Sequence, residues 1–552
     1  MEEDKVCTNS EIEDRAVEHS DPDPIEQYFH SEPAWARSIP GGYTPSRCLK
    51  LSGKPMLLAI LAFAGTCILF FGYDSAVMAQ VNINPDYLQR MNINHGTNGD
   101  AARVGGLVSL WFAGFFIGAI LSGSYADSLG RLRAIQMGCI WGILGGALLA
   151  GAQNFTWMAI ARIISGVGCG HLNTITPIWT SELADYNLRG AFVAVQYALC
   201  IFGAQIVYWM QYGCLKTRSL NFSWRFPLGF QILFLLVILL VAPFFPETPR
   251  HLAQTGRLED ARQVLTRCRL LATEESVDQE LEEIKAAIRL EATQASHGFI
   301  SMMWKKDVLH TRRRVALAMG IHFMRELTGP DVIAVFGPQV FALSGYSGDW
   351  PSILAGLNFI GYMCSTFIAS YTVERFGRRK LLLTGLFTMG SLLMICGGLA
   401  HKVYDLAEVD PVASKRYGSG VVACVFLYTM AFGGTWIVAA FVYPTEIFPL
   451  ATRAKGSALS MVSFAVAGGV CNEIIPYIIS AAGFWVFIMF SLLNFVQILP
   501  VWAFYIETAN RHLEDLDILL ASKSSFAIRA EREYNEKKRA LGLRESDAVI
   551  GG

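Results

Sequence analysis

The stretch D-S-L-G-R-L-R (Asp127 to Arg133) returns later in the chain as E-R-F-G-R-R-K (Glu374 to Lys380). Two further charged stretches are repeated in the same order. S-E-L-A-D-Y-N-L-R-G (Ser181 to Gly190) is matched by T-E-I-F-P-L-A-T-R-A-K-G (Thr445 to Gly456), and in both a Glu precedes an Arg by seven residues. P-E-T-P-R (Pro246 to Arg250) is matched by I-E-T-A-N-R (Ile506 to Arg511). Repeated signatures at a constant order imply a chain built from two related halves, an arrangement common among membrane carriers.

What lies between these signatures is apolar. The 552 residues are 53% hydrophobic and only 16% charged, against about 25% charged in an average globular protein, and the mean hydropathy is +0.37. The surface that lacks charge must face something other than water, and lipid is the partner this implies. With 45 basic and 46 acidic residues there is no positive excess of the kind a nucleic-acid binder carries. No nucleophile elbow, nucleotide-binding loop or metal motif is present, so neither an enzyme nor direct drive by ATP is expected, and no cofactor. The twelve cysteines contain no C-x-x-C pair and predict neither a zinc site nor a disulfide framework. Cys169, Cys364 and Cys471 read as small packing residues.

A hydrocarbon core of roughly 30 Å needs about 20 apolar residues per helix. Runs of that size fall at 56–80, 104–126, 134–152, 156–180, 190–213 and 224–246, then at 313–343, 351–372, 380–400, 419–443, 455–480 and 484–506. The expected fold is an all-α membrane protein of twelve spans in two six-helix halves. Its parts are a disordered tail over 1–50, a first bundle over 51–249, a helical linker over 250–312, a second bundle over 313–506 and a tail over 507–552. No basic segment followed by a short apolar run and cleavage site precedes the first span, so that span is expected to target the membrane itself. Basic clusters follow the second, fourth, sixth, eighth and tenth spans, which by the positive-inside rule places those loops and both termini in the cytoplasm. The sequons at Asn154 and Asn221 then fall outside. In the linker, Leu258 to Leu271 and Val277 to Leu290 carry apolar residues at helical spacing and predict amphipathic helices.

Taken together the loop signatures resemble those of the sugar porter family of the major facilitator superfamily, over about 50–520. G-Y-D-S-A-V-M (Gly72 to Met78), A-R-I-I-S-G-V-G-C-G (Ala161 to Gly170) and W-R-F-P-L-G-F-Q (Trp224 to Gln231) add to the resemblance, whose wording is nearest the fungal branch. It implies a plasma-membrane carrier, functional as a single chain, that moves a sugar or polyol by alternating access with a proton as second solute. By the same resemblance a cytoplasmic gate is expected from Arg131, Glu182, Arg189, Glu247, Arg250, Glu374, Arg378, Glu446, Arg453 and Glu507. Charged pairs at a wet boundary form and break at low net cost, which suits a gate.

Two charges lie deeper. Asp74 in the first span and Arg162 in the fourth would each cost about 2.5 to 3.5 kcal/mol if inserted alone, so each needs a partner or a task. Both match the acid and arginine that act as proton switch in proton-coupled members, and facilitative members generally lack the acid. His171 is weighed as a second proton carrier against a satisfied packing histidine. Gly166 and Gly170, with Gly142 and Gly146, have the small-xxx-small spacing of close helix packing.

The expected solute site departs from the sugar pattern. By resemblance it includes Phe71, Gln196, Tyr197, Arg325, Glu326, Asp331, Asn358, Tyr362, Trp436 and Phe441. Tyr197 stands where the family has Gln, with Gln196 beside it; Tyr362 holds an Asn position, with Asn358 one turn earlier; Phe441 replaces a Trp, while Trp436 is retained. Ser463 and Phe464 stand for an N-W pair. The seventh span reads R-E-L-T-G-P-D (Arg325 to Asp331), charges in place of amides. Either these charges pair with one another and leave the pocket near neutral, or Arg325 receives a carboxylate of an acidic or conjugated metabolite. Pro330 is expected to break the helix at the binding level.

Overall fold

The computed structural model describes residues 44–94, 98–184, 189–217, 219–270, 273–293, 298–304, 310–449 and 452–509, and parts of 511–540. The expectations for 1–43 and 541–552 lie outside the described residues. Twelve long helices carry the fold: α1 (Lys54–Ala76), α2 (Asn98–Leu129), α3 (Arg131–Ala150), α4 (Phe155–Leu183), α5 (Arg189–Leu215), α6 (Leu220–Val241), α7 (Thr311–Leu327), α8 (Trp350–Phe376), α9 (Arg378–Leu406), α10 (Pro411–Ile447), α11 (Arg453–Ala482) and α12 (Trp485–Phe504). The chain is all-α among its described residues.

Packing repeats as the loops do. In the first half α4 packs on α2 and α3, α6 on α3, and α1 on α5. In the second half α10 packs on α8 and α9, α12 on α9, and α7 on α11. The halves meet where α2 lies along α11 and α5 along α8. Small residues permit the closest approach: a Cβ on Gly166 or Gly170 would overlap the Trp111 or Phe115 carbonyl of α2, and one on Gly168 would overlap Gly142 of α3. These glycines pack helices in lipid, where close contact substitutes for a hydrophobic driving force.

Among the described residues ten helices are long and apolar enough to cross a membrane by length and composition. The exceptions among the twelve are α4 and α7, and both have a physical reason. α4 buries Arg162, His171, Asn173, Thr174 and Thr176 against protein rather than lipid. The seventh span is not one helix. α7 stops at Leu327, and short helices Pro330–Ala334 and Gly337–Leu343 follow. Gly329 takes φ +94°, a conformation open to glycine, and Pro330 has no N–H to continue the ladder. The carbonyl freed at Thr328 accepts the Tyr428 hydroxyl at 2.8 Å and the Asn494 amide at 3.1 Å, so the break is satisfied from α10 and α12. Exposed Leu58, Ile140, Leu240, Ile395, Val496 and Leu499 lie on the outer faces of their helices, as lipid contact requires.

The linker forms helices Pro249–Gln254, Leu258–Cys268, Glu274–Thr293 and Phe299–Trp304. Its second helix turns Ala261, Val264, Leu265 and Cys268 inward. Arg269 ties it to the end of α4 through the Leu183 carbonyl, 2.9 Å away, and to Glu280 of the next helix. Two tail expectations need correction. Residues 44–50 are held to the body, with the Leu49 amide donating to the Phe244 carbonyl at 2.9 Å. Helix Ala527–Ala540 forms where a solvated tail was expected, because Ala527, Ala530 and Tyr534 supply a buried face at helical spacing.

Candidate functional site

The two repeated loops build the same object. Gly130 (φ 86°, ψ 157°) and Gly377 (φ 85°, ψ 157°) turn the chain between α2 and α3 and between α8 and α9. This region of backbone space belongs to glycine. Each turn leaves the N–H groups at the start of the following helix exposed, and each is met by a glutamate from the end of the half. Glu247 accepts from the amides of Arg131 (3.0 Å), Leu132 (3.1 Å) and Thr248 (2.9 Å). Glu507 accepts from those of Arg378 (2.8 Å), Arg379 (3.1 Å), Thr508 (3.0 Å) and Ala509 (3.1 Å). Carboxylates at helix N-termini are stabilised by the unsatisfied amides and the helix dipole. Glu247 and Glu507, expected among the charge pairs of a gate, are caps of α3 and α9.

The first residue of each capped helix then reaches back. The Arg131 guanidinium pairs with Glu182 at 3.1 Å and Asp127 at 3.0 Å. Arg378 pairs with Glu446 at 2.7 Å and Glu374 at 2.9 Å, and the Thr508 hydroxyl donates to Glu446 at 2.6 Å. Each arginine's partners lie within its own half. Contact across the halves is made by Glu374, whose carboxylate lies against Gly190 at the start of α5. Asp127 stands in the field of Lys455 on α11, and of Arg250. Arg453 begins α11 and donates to the Phe448 carbonyl at 3.4 Å. The side chain of its counterpart Arg189 lies outside the described residues.

Between the halves is a cavity of about 70 Å³. Phe71, Tyr197, Arg325, Asp331, Tyr362 and Phe441, all expected from sequence, line it, together with Arg162, Trp111, Phe112, Phe359 and Phe464. The wall is aromatic and contains no Asn or Gln side chain among the residues that line it. Four expected residues are turned away, each for a visible reason. Gln196 donates to Thr180 at 3.0 Å, Asn358 accepts from Thr429 at 2.7 Å, and Trp436 donates to the Leu382 carbonyl at 3.0 Å. Glu326 is buried behind the wall and paired with Arg325.

Tyr197 of α5 and Phe441 of α10 stack across the halves, centroids 3.8 Å apart and planes at 19°. They line this cavity and also a smaller one of about 10 Å³ bounded by Asn173, Pro444, Thr445 and Ser457. The stack is thus a floor between the central chamber and the end of the molecule that carries the repeated charged loops.

Asp74 is fully buried beside the chamber. Its carboxylate accepts from the Trp111 indole at 2.6 Å and the Ser165 hydroxyl at 2.8 Å. Arg162 forms no direct ion pair with it. The guanidinium lies over the Trp111 ring, 5.7 Å from the centroid, and donates to the Leu107 carbonyl at 3.2 Å. Trp111 therefore stands between acid and base and touches both, a role that no feature of its position in an apolar span announces. His171 is engaged by the Tyr125 hydroxyl at 2.6 Å, as a packing histidine would be. Arg325 sits among the rings of Phe432, Phe441 and Phe464, at 5.7, 5.3 and 5.1 Å, and Asn472 donates to Asp331.

Comparison with known proteins follows the same lines. The family model described as sugar (and other) transporter matches residues 58–520. MFS-type transporter criB of Aspergillus cristatus is 30% identical over 88% of this chain and 98% of its own length. Sugar transporter STL1 of Saccharomyces cerevisiae is 27% identical over 85% of this chain and 82% of its own. Among solved structures, the proton:xylose symporter XylE bound to 6-bromo-6-deoxy-D-glucose superposes with a TM-score of 0.73 at 21% identity, covering 85% of this chain and 100% of that one. A partially occluded inward-open form of XylE from E. coli gives 0.68 at 20% identity, covering 83% and 100%. The twelve-helix fold, the repeated loops and these matches agree: the chain belongs to the sugar (and other) transporter family of the major facilitator superfamily, and is a secondary membrane carrier rather than an enzyme.

Proposed function

We propose that the protein moves a polyhydroxylated small solute, a sugar or polyol, through the chamber between its halves by alternating access, with a proton carried on Asp74. The observation that carries this reading is the placement of Asp74. It is an acid buried beside the chamber, held by Trp111 and Ser165, with Arg162 on the chamber wall. Burial disfavours a carboxylate, and hydrogen bonds and a nearby guanidinium favour it. A change in how α1, α2 and α4 pack alters that balance, which couples protonation to the state of the carrier. The pairing of Arg325 with Glu326 supports a neutral solute. Names of relatives such as sugar transporter STL1 and the proton:xylose symporter support the same class.

Orientation follows from the basic loops after α2, α4, α6, α8 and α10, which favour a cytoplasmic position for that end and for both termini. Plasma membrane and a single-chain working unit complete the reading. One observation favours a second reading within the family: a chamber walled by Phe71, Trp111, Phe112, Phe359, Tyr362 and Phe464 without an amide also suits a metabolite with an apolar or aromatic body.

The test is uptake by cells lacking their own hexose carriers, using labelled hexoses, pentoses, disaccharides, polyols and sugar acids, with and without a protonophore. Saturable uptake of one neutral solute, lost with the protonophore, is the expected result, and Asp74→Asn should abolish accumulation while exchange persists. Accumulation that survives Asp74→Asn overturns the coupling role. Uptake confined to acidic or aromatic compounds replaces the sugar reading with the second one.

A further inference from the structure

A second cavity, of about 700 Å³, lies away from the central chamber, between α7 and the end of α12. Each of these helices packs chiefly on another, α7 on α11 and α12 on α9, so a groove is left between them. Ala316, Leu317, Gly320 and Met324 follow one face of α7 at helical spacing, and Pro500, Phe504 and Tyr505 line the other side. Tyr505 reaches across, its hydroxyl donating to the Leu317 carbonyl at 2.9 Å, and Gly320 leaves room for it, since a Cβ there would stand 2.7 Å from that oxygen. From His310 to Met324 the groove runs about 20 Å along α7.

The groove changes character along its length. Its deep part is apolar and borders side chains that face lipid: Ala316 is exposed, as are Phe323 two turns on and Leu499 and Trp502 of α12. Its mouth is basic. His310, Arg312 and Arg313 line it, at the end of K-K-D-V-L-H-T-R-R-R (Lys305 to Arg314), where five Lys and Arg stand against one Asp. Arg312 is exposed, Arg313 donates to the Leu520 carbonyl at 3.1 Å, and Arg314 turns inward to the Ile447 carbonyl. The tail helix brings a further charge. Arg529 lies over the Phe526 ring, 5.7 Å from its centroid, and Phe526 stacks on Phe504 of the groove with centroids 5.6 Å apart. Glu533 of the same helix is an acid in the field of Arg313, so the guanidiniums of Arg312, Arg313 and Arg529 outnumber it.

This combination selects an amphiphile. A soluble anion engages the mouth and leaves the apolar slot unfilled, and a zwitterionic lipid fills the slot but brings no net charge to the guanidiniums. Phosphate suits their planar forks, and basic pockets between spanning helices hold anionic head groups. We propose that the groove binds an anionic phospholipid, with its head group at Arg312, Arg313 and Arg529 and an acyl chain along Ala316, Gly320 and Met324. The bound lipid joins the start of α7, the end of α12 and the tail helix. Which leaflet supplies it rests on the orientation proposed above; the site itself rests on the groove and its charges.

Native mass spectrometry of the purified full chain in detergent, titrated with phosphatidylserine and with phosphatidylcholine, tests this. Phosphatidylserine should bind the more tightly, and Arg312→Gln should weaken it about fivefold. Adding Arg529→Gln should bring the loss to roughly tenfold or more; both side chains are exposed, so the fold is expected to survive. Ala316→Trp, also at an exposed position, fills the slot while keeping every charge and should weaken both lipids. If the tryptophan unfolds the chain, the charge variants still decide the matter. Arg375→Gln, an exposed arginine at the end of α8, should change nothing. Equal affinity for the two lipids, an equal loss in Arg375→Gln, or unchanged binding in folded Ala316→Trp overturns the proposal. Displacement of the lipid by an equal concentration of glycerophosphoserine, the head group without its chains, would assign the mouth to a soluble anion and overturn it too. A micelle has no sides, so lipid binding as stated in a chain whose termini prove to lie outside would sink the orientation and leave the site.

Discussion

At the scale of single residues, Trp111 does two things that are separable by substitution. Its indole N–H holds the Asp74 carboxylate and its ring holds the Arg162 guanidinium. Trp111→Phe keeps a ring and removes the donor, and a hydrogen bond to a charged group contributes about 1.5–3 kcal/mol. Proton-driven accumulation should fall by roughly tenfold or more while solute exchange continues, which a comparison of net uptake with counterflow would reveal. The floor is a second test. Phe441→Ala removes half of the Tyr197 stack and joins the two cavities, so Cys200, which lines the chamber, becomes reachable from the charged-loop end. With Cys200 as the sole cysteine, maleimide labelling should rise several-fold in Phe441→Ala; unchanged labelling would mean the barrier lies elsewhere. Neither role was legible from the sequence. Trp111 sits in an apolar run with no local signature, and Tyr197 and Phe441 announce an altered site but not that they meet face to face. That contact depends on how two halves dock, which periodicity within a helix does not report.

At the scale of elements, the fold was legible because the sequence repeats its most constrained parts. Gly130 and Gly377 share a backbone conformation, and Glu247 and Glu507 occupy the same place over the helix that follows. Charged residues next to a turn stand out against apolar spans, so the repeat and the span order could be read directly. Bounds were less clear: the seventh span read as one run over 313–343, although Pro330 marked its break, and the buried polar side chains of α4 gave no sign that they face protein. The glycines carry a prediction. A Cβ at Gly130 would stand 2.7 Å from a Glu247 oxygen, and the backbone region costs a non-glycine residue of order 1–3 kcal/mol. Gly130→Ala and Gly377→Ala should therefore lower thermal stability in detergent, each by more than Glu247→Gln. The glutamine keeps one of the two accepting oxygens and forfeits the other together with the charge at the helix N-terminus, whereas a Cβ strains the turn and displaces the whole carboxylate. Equal effects of the two glycine substitutions would reflect the equivalence of the two turns.

For the whole molecule, the repeat places one acid of each half against the other half at the charged-loop end. Asp127 and Glu374 occupy the same position three residues before their glycines. Glu374 meets the start of α5, and Asp127 stands in the field of Lys455 near the start of α11. A helix N-terminus favours a nearby negative charge, so each acid contributes about 0.3–1 kcal/mol to closing that end. The opposite end is joined by Lys216 with Asp349 and by Ser352 donating to Gln80 at 3.2 Å. Lys216 and Asp349 are exposed, and exposed pairs contribute little. The balance between the ends decides which state is populated, so the consequences of removing charge should be unequal. Asp127→Asn with Glu374→Gln removes both cross-half acids, together about 0.6–2 kcal/mol. That should shift the ratio of closed to open at that end by roughly three- to thirtyfold. Asp349→Asn should leave the opposite end nearly unchanged. Spin labels placed in pairs across each end of the full chain in nanodiscs would report both distances. Longer distances at the charged-loop end in the double variant, with little change in Asp349→Asn, are expected because the tighter closure is built from helix termini and the looser one from solvated charges. The reverse pattern would place the controlling contacts at the opposite end.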